Sequence, residues 1–354
     1  MKKICVITTC RADYPYLYWI MNDLQDNYNI ALQIICPTNH QNFQEINDKF
    51  GKSLCRVNPI HSIDDFGQFY KDCLDDLRIL KSDMVICLGD RWEMLAAATA
   101  ALLLNIPIAH IHGGEVTTGA FDNELRNAIT MMADIHFTSN YDYSMNLCKM
   151  GINGLKVFTV GSPGLDYIHR AKLLSKQELQ QRVLIDLNQP FIVACFHPVT
   201  KELGRTKEHI KSLIEAMEAL KTQVLWIGPN IDPGFTKIIQ KVNEKLGWVD
   251  GWVGVDNLDH LTYLSLLQFA SFMVGNSSSG IIESASFSIP SVTVGSRQDG
   301  RIKASNTFSC PCETEAILTA IDRAREWNAT VGKCDNPYGD GNSSRKIVEV
   351  LENV

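Results

Sequence analysis

The run Met84-Val85-Ile86-Cys87-Leu88, then Gly89-Asp90-Arg91, then the alanine-rich Trp92 to Leu104, then Ile108-Ala109-His110-Ile111 and His112-Gly113-Gly114-Glu115 decides the fold. Two short apolar runs separated by a segment long enough for a helix read as neighbouring parallel strands, which no tight turn can join. The alternation continues on both sides. Lys3 to Thr8 reads as a first strand and Tyr16 to Asp26 as its helix, with further strands at Ile30 to Cys36, Ile135 to Thr138 and Val157 to Val160. Beyond Gly161-Ser162-Pro163-Gly164, a charged helical stretch from Leu173 to Leu187 leads to strands at Phe191 to Phe196, Gln223 to Ile227, Phe272 to Val274 and Ser291 to Val294. The pattern predicts an α/β chain of two Rossmann-like doubly wound domains, 1–167 and 168–335, with a cleft between them. A tail, 336–354, has helical spacing from Ser344 to Leu351 and is expected to pack back on the first domain.

Composition bounds the possibilities. The 354 residues, 45% hydrophobic and 21% charged, suffice for two cores. No stretch approaches the about 18 apolar residues of a membrane helix. The opening Met1-Lys2-Lys3-Ile4-Cys5-Val6-Ile7 begins like a signal peptide but is broken by Arg11 and Asp13. A net charge of -7 gives no electrostatic case for nucleic acid. The 11 cysteines sit mostly in apolar runs without zinc-type spacing, so they read as reduced core residues of a cytoplasmic enzyme. Cys310-Pro311-Cys312 reads as a loop rather than a metal or redox pair.

Open α/β sheets bind ligands outside the carboxyl ends of their strands, so chemistry is sought there. Phe272-Met273-Val274-Gly275-Asn276-Ser277-Ser278-Ser279-Gly280 is a strand entering a helix through an anion-holding turn of glycines and hydroxyls. It lacks the lysine of a triphosphate P-loop, which points to a diphosphate. Arg11, Arg91 and Arg297 each follow a strand and suit phosphate. Asp90 and Glu115 follow neighbouring strands and read as an acid and base pair, against alternatives in which Asp90 caps a helix and Glu115 pairs with an arginine. Asp122 by itself reads as a helix cap. His197 ends a strand before Pro198, where a core histidine has little reason to be. His110 and His112 stand two apart on a strand, without the i, i+4 helical spacing of a simple metal-binding pair, which disfavours a shared metal.

Arg11-Ala12-Asp13-Tyr14, Gly89-Asp90-Arg91, His112-Gly113-Gly114-Glu115, Asp122 with Arg126, His197-Pro198-Val199-Thr200, Pro229-Asn230-Ile231-Asp232, Gly275 to Gly280 with Glu283, Gly295-Ser296-Arg297-Gln298 and Tyr338-Gly339-Asp340-Gly341-Asn342 occur in one order. Together they resemble the UDP-N-acetylglucosamine 2-epimerase family, in its hydrolysing branch. The resemblance spans nearly the whole chain and implies the two-domain fold of nucleotide-sugar glycosyltransferases (GT-B-like). It implies Asp90, Glu115, Asp122 and His197 as catalytic groups, with Arg11, Arg91, Asn230, Ser277, Ser278, Glu283 and Arg297 binding the UDP-sugar. Glu283 is expected at a ribose hydroxyl. It also implies no metal and no cofactor, and a homodimer or homotetramer.

The implied reaction removes the proton on sugar carbon 2 as the diphosphate leaves carbon 1, giving a 2-acetamidoglucal to which water adds with the opposite configuration at carbon 2. UDP-N-acetylglucosamine, giving N-acetylmannosamine for sialic acid synthesis, is the first expected substrate. UDP-2,4-diacetamido-2,4,6-trideoxyglucose, for legionaminic acid, is the alternative. Pro15, where some relatives carry serine, and the variable stretch from Val116 to Phe121 leave the sugar open. A glycosyltransferase of the same architecture and a non-catalytic nucleotide-sugar sensor are the rival classes.

Overall fold

A computed structural model describes residues 1–118, 121–229 and 233–354. The chain forms two compact units, one of Met1–Glu115, Asp122–Arg170 and Tyr338–Val354, the other of Val116–Phe121 and Ala171–Pro337.

Among its described residues the first unit holds β1 (Lys2–Ile7), β2 (Ile30–Pro37), β3 (Leu54–Val57), β4 (Met84–Leu88), β5 (Ile108–Ile111), β6 (Ile135–Thr138) and β7 (Val157–Thr159). All pair in parallel in the order β3-β2-β1-β4-β5-β6-β7. Strand alternation sends Ile4 and Val6 into a core with Leu17 and Ile20 of the helix Tyr14–Gln25 and with Ile347 and Leu351 of the C-terminal helix. Cys5 and Ile7 enter the other core, with Met94, Ala97 and Ala101 of the helix Trp92–Leu103.

The C-terminal helix Ser343–Asn353 is docked by polar contacts as well as by its apolar stripe. Its N-cap residue Asn342 makes no side-chain cap bond, and the amides of Ser343 and Ser344 instead donate to the Asp166 carboxylate at 2.9 and 2.6 Å. Just before it, the Ser162 amide donates to the Tyr338 carbonyl at 2.7 Å. Gly341 has φ 75°, and a Cβ there would meet the His169 ring at 2.1 Å, so the turn admits only glycine.

The second unit holds β8 (Phe191–Cys195), β9 (Gln223–Ile227), β10 (Trp252–Val255), β11 (Phe272–Gly275), β12 (Ser291–Val294) and β13 (Thr307–Cys310) among its described residues. They too are parallel, in the order β10-β9-β8-β11-β12-β13. Ile192, Ala194, Val224 and Trp226 pack against Ile210, Leu213 and Met217 of the helix Thr206–Leu220. The two doubly wound α/β units agree with the predicted fold class.

Differences from the sequence reading are local. The strands β3, β10 and β13 escape it because each is a four-residue edge strand exposing a residue to solvent, Arg56, Gly254 or Ser309, so none shows a continuous apolar run. Of the helical stretch from Leu173 to Leu187, only Lys176–Gln180 is α-helix. A Ser175–Glu178 capping box starts it. The Gln180 side chain then bonds the Ile185 carbonyl and the Leu187 amide, stabilising turns where the helix was expected to continue.

In both sheets the strand order reverses beside the unit's first strand, between β1 and β4 and between β8 and β11. These switch points open the crevices where ligands enter such sheets.

Candidate active site

At the first switch point the β1 turn is organised by Asp13. Its buried carboxylate accepts from the Thr9 amide at 2.9 Å, the Thr9 hydroxyl at 2.7 Å and the Cys10 amide at 3.2 Å. Arg11 thus projects from a braced loop, its own amide donating to Gln41 Oε1 at 3.3 Å. After β4, Asp90 does not cap the following helix. The N-cap position is Arg91, without a side-chain cap bond, and Asp90 pairs with the fully buried Arg126 guanidinium. A buried guanidinium demands such a partner, since leaving it uncompensated costs several kcal/mol. Arg91 reaches back to Glu93 at 2.8 Å. Burial lifts the Glu93 carboxyl above its usual range, against the opposing pull of Arg91.

Beyond β5, the Glu115 carboxylate is buried, accepts from Ser139 Oγ at 2.8 Å and faces His112 Nδ1 at 2.9 Å. His112 Nε2 lies 3.4 Å from Ser162 Oγ. With its proton on Nδ1, His112 donates to Glu115 and accepts from Ser162. His112 holds φ 68°, an uncommon conformation for a residue other than glycine and one that gathers at functional sites. Arg126 Nη1 also donates to the Glu115 carbonyl at 2.8 Å, so one guanidinium ties the Asp90 and Glu115 loops together. Asp122 is the first residue of the helix Asp122–Met132 that carries Arg126, where a carboxylate favours the positive helix end. His110 is structural: Nε2 meets the Gly89 carbonyl at 2.7 Å and Nδ1 meets Thr130 Oγ1 at 3.1 Å. Burial drives it down to about 3, so the ring stays neutral.

At the second switch point Gly275 has φ 140°, and a Cβ there would lie 1.8 Å from the Cys195 carbonyl oxygen. Only glycine lets β11 end against β8 in this way. The next residue, Asn276, is fully buried. Ser277 and Ser278 then sit half-buried at the start of the helix Ser279–Ser286. Their backbone amides make no internal hydrogen bond among the described residues, leaving donors at a positive helix end. The third hydroxyl differs from expectation: Ser279 Oγ bonds the Tyr263 phenol instead of facing a ligand. Burial, reinforced by the Glu283 carboxylate, pushes that phenol well above its usual range.

Arg297 and Gln298, after β12, donate to the Asn276 carbonyl at 3.3 and 2.9 Å. Glu283 is buried on the helix that follows the serines. His197, buried at the end of β8, has Nε2 3.4 Å from Cys195 Sγ.

The first unit therefore gathers Arg11, Asp90, Arg91, Glu115 and Asp122, and the second His197, Ser277, Ser278, Glu283 and Arg297. Asn230 lies outside the described residues. Sequence reasoning passed over Glu93, whose partner is the neighbouring Arg91, and Ser139 and Tyr263, whose partners Glu115 and Ser279 lie farther off in the chain. Among the described residues, no helix is long and apolar enough to cross a membrane and no cluster of three or more His, Cys, Asp or Glu is placed to hold a metal.

The profile of a family described as UDP-N-acetylglucosamine 2-epimerase matches residues 23–352. The chain is 33% identical to the UDP-N,N'-diacetylbacillosamine 2-epimerase (hydrolyzing) of Legionella pneumophila, over 100% of this chain and 96% of that protein. It is 31% identical to the GDP/UDP-N,N'-diacetylbacillosamine 2-epimerase (hydrolyzing) of Campylobacter jejuni, over 92% of this chain and 87% of that protein. A crystal structure of UDP-GlcNAc 2-epimerase from Neisseria meningitidis bound to UDP-GlcNAc superposes with a TM-score of 0.85 at 19% identity, covering 100% of both chains. The fold is thus that of UDP-GlcNAc 2-epimerases.

Proposed function

Because the chain belongs to the UDP-N-acetylglucosamine 2-epimerase family, we propose that it is a hydrolysing UDP-sugar 2-epimerase, converting a UDP-linked 2-acetamido sugar and water to UDP and the free sugar inverted at carbon 2. The second unit takes the nucleotide. The open amides and hydroxyls of Ser277 and Ser278, with Arg297, hold the departing diphosphate, and Glu283 a ribose hydroxyl; Asn230 belongs to the same binding set. Arg11 and Arg91 are proposed members of the same binding set, as positive charge suited to a diphosphate. Stabilising the leaving group in this way is what makes loss of a weakly acidic carbon-bound proton feasible.

Asp90, Glu115, Asp122 and His197 share the removal and return of that proton. Elimination breaks the bond from carbon 1 to the phosphate oxygen as the carbon 2 proton leaves, forming the glycal. Water then delivers hydroxyl to carbon 1, and a proton arrives on the opposite face of carbon 2. The observation that carries this reading is the buried Glu115 carboxylate, braced by Ser139 and His112 and tied through Arg126 to Asp90. Glycosyl transfer would need the nucleotide site but not this set of carboxylates.

We further propose UDP-N,N'-diacetylbacillosamine as the substrate, because the relatives at 33% and 31% identity carry that name. This reverses the order expected from the sequence alone, with UDP-N-acetylglucosamine now second. The proposed setting is a homodimer or homotetramer in the cytoplasm, in keeping with cysteines that are free among the described residues; sedimentation and cell fractionation check it.

The deciding experiment incubates the protein with each nucleotide sugar in deuterated water. Release of UDP with a free sugar bearing deuterium at carbon 2 is expected. An unlabelled sugar passed to an acceptor would make the protein a glycosyltransferase. Binding of UDP-sugar without release of UDP from either substrate would make it a sensor.

A further inference from the structure

Asn276 lies in the anion-holding turn, yet its buried side chain is spent on the protein's own backbone. Its Oδ1 accepts from the His197 amide at 2.6 Å, and its Nδ2 donates to the His197 carbonyl at 2.8 Å. Both ends of one carboxamide are thereby spent on both backbone groups of one residue 79 positions earlier in the chain. The backbone carbonyl of Asn276 works separately, accepting from Gln298 Nε2 at 2.9 Å and Arg297 Nη1 at 3.3 Å. The Asn276 amide donates to the Cys195 carbonyl at 3.1 Å, and Gly275 gives β11 the close approach to β8 that this requires.

We propose that Asn276 is a positioning residue for the reaction, its side chain fixing His197 and its main chain fixing Arg297 and Gln298. The inference rests on the functional reading above and deepens it. The side-chain requirement is strict. A carboxylate of the same shape keeps the acceptor for the His197 amide but loses the donor, and sets an oxygen against the His197 carbonyl. Serine or alanine reaches neither group, and glutamine is one methylene too long for a site with no exposed surface. Because the two functions use different atoms of the residue, they separate on substitution. Changing the side chain disturbs the histidine while the carbonyl that holds Arg297 stays in place.

The test is Asn276→Asp in the full chain. Loss of one buried hydrogen bond with a carbonyl left unpaired should lower kcat about tenfold or more, while the dissociation constant for UDP changes less than about threefold. A variant that merely loosened the fold would lose both together. Combining Asn276→Asp with His197→Asn sharpens the result: if Asn276 acts through His197, the double variant is no slower than His197→Asn alone. Losses of kcat that multiply, or a UDP affinity that falls as far as kcat, overturn the assignment.

If the wild type releases no UDP from either nucleotide sugar, the functional reading fails, and the contact itself is then judged by amide hydrogen exchange. The His197 amide should be protected in the wild type and lose that protection in Asn276→Ala. Unchanged protection overturns the positioning role whatever the protein's activity.

Discussion

The two switch points solve the same problem with different chemistry. Beside β1 and β4, and beyond β5, the loops are held around carboxylates: Arg126 on Asp90, His112 on Glu115, Arg91 on Glu93. Beside β8 and β11 the main framework is neutral, made of the Asn276 carboxamide, main-chain carbonyls and a glycine that lets strands touch. The first arrangement gives each carboxylate a specific ion-pair or hydrogen-bond partner. The second preorganises donors for an anion at the helix start, with the buried Glu283 carboxylate farther along the same helix. Under the proposed function His197 is the proton-handling group of the second arrangement, so the sharpest separation is expected between the first unit's carboxylates and the serines of the second.

The largest separation is expected from Glu115→Gln. It should lower turnover about a thousandfold or more while leaving affinity for UDP within about threefold, measured by kinetics and calorimetry. Equal losses in both would erase the distinction between the two regions.

Acid should strain the loops of the first unit next. His110 holds the β4 loop through the Gly89 carbonyl, and burial lowers it from 6.5 to about 3. Between those values the unfolded chain binds a proton that the folded chain refuses, so stability is full above the unfolded value and is lost as pH falls towards the folded one. His110→Gln should flatten that loss by an amount on the order of a few kcal/mol, seen in denaturation midpoints at neutral and mildly acidic pH. Curves for variant and wild type that stay parallel would remove His110 from the account.

The smallest effect falls on the neutral side. Ser278→Ala should weaken UDP about tenfold at most, with kcat at saturation little changed. A variant that spared UDP affinity and blocked only proton exchange at carbon 2 would show the division of labour to be wrong.

Both doubly wound units are legible from residue order, because buried parallel strands must be apolar and must be separated by crossover helices. The run from Met84 to Ile111 shows this directly. The edge strands were not legible, since half-solvated segments such as Leu54–Val57 need no distinctive composition. Candidate residues were legible by position. Arg11, Asp90, Glu115, His197 and Arg297 all follow strands, and the structure places each of them at a strand's carboxyl end.

Their partners were not legible. Nothing near Asp90 in the chain announces Arg126, and the helix-cap alternative for Asp90 gives way to an ion pair because the helix Asp122–Met132 brings a buried guanidinium to it. Likewise Asn276 reads locally as one more polar residue in an anion turn, and becomes a clamp on His197 only because β8 and β11 are neighbours.

What the sequence determined by itself is which chemical groups stand at the strand ends, because periodicity and turn composition are local properties. What only the tertiary structure decided is which of those groups are charged against one another, which are braced and which keep open donors. Those outcomes depend on burial and on hydrogen bonds between segments far apart in the chain, and both come into being when the sheets assemble.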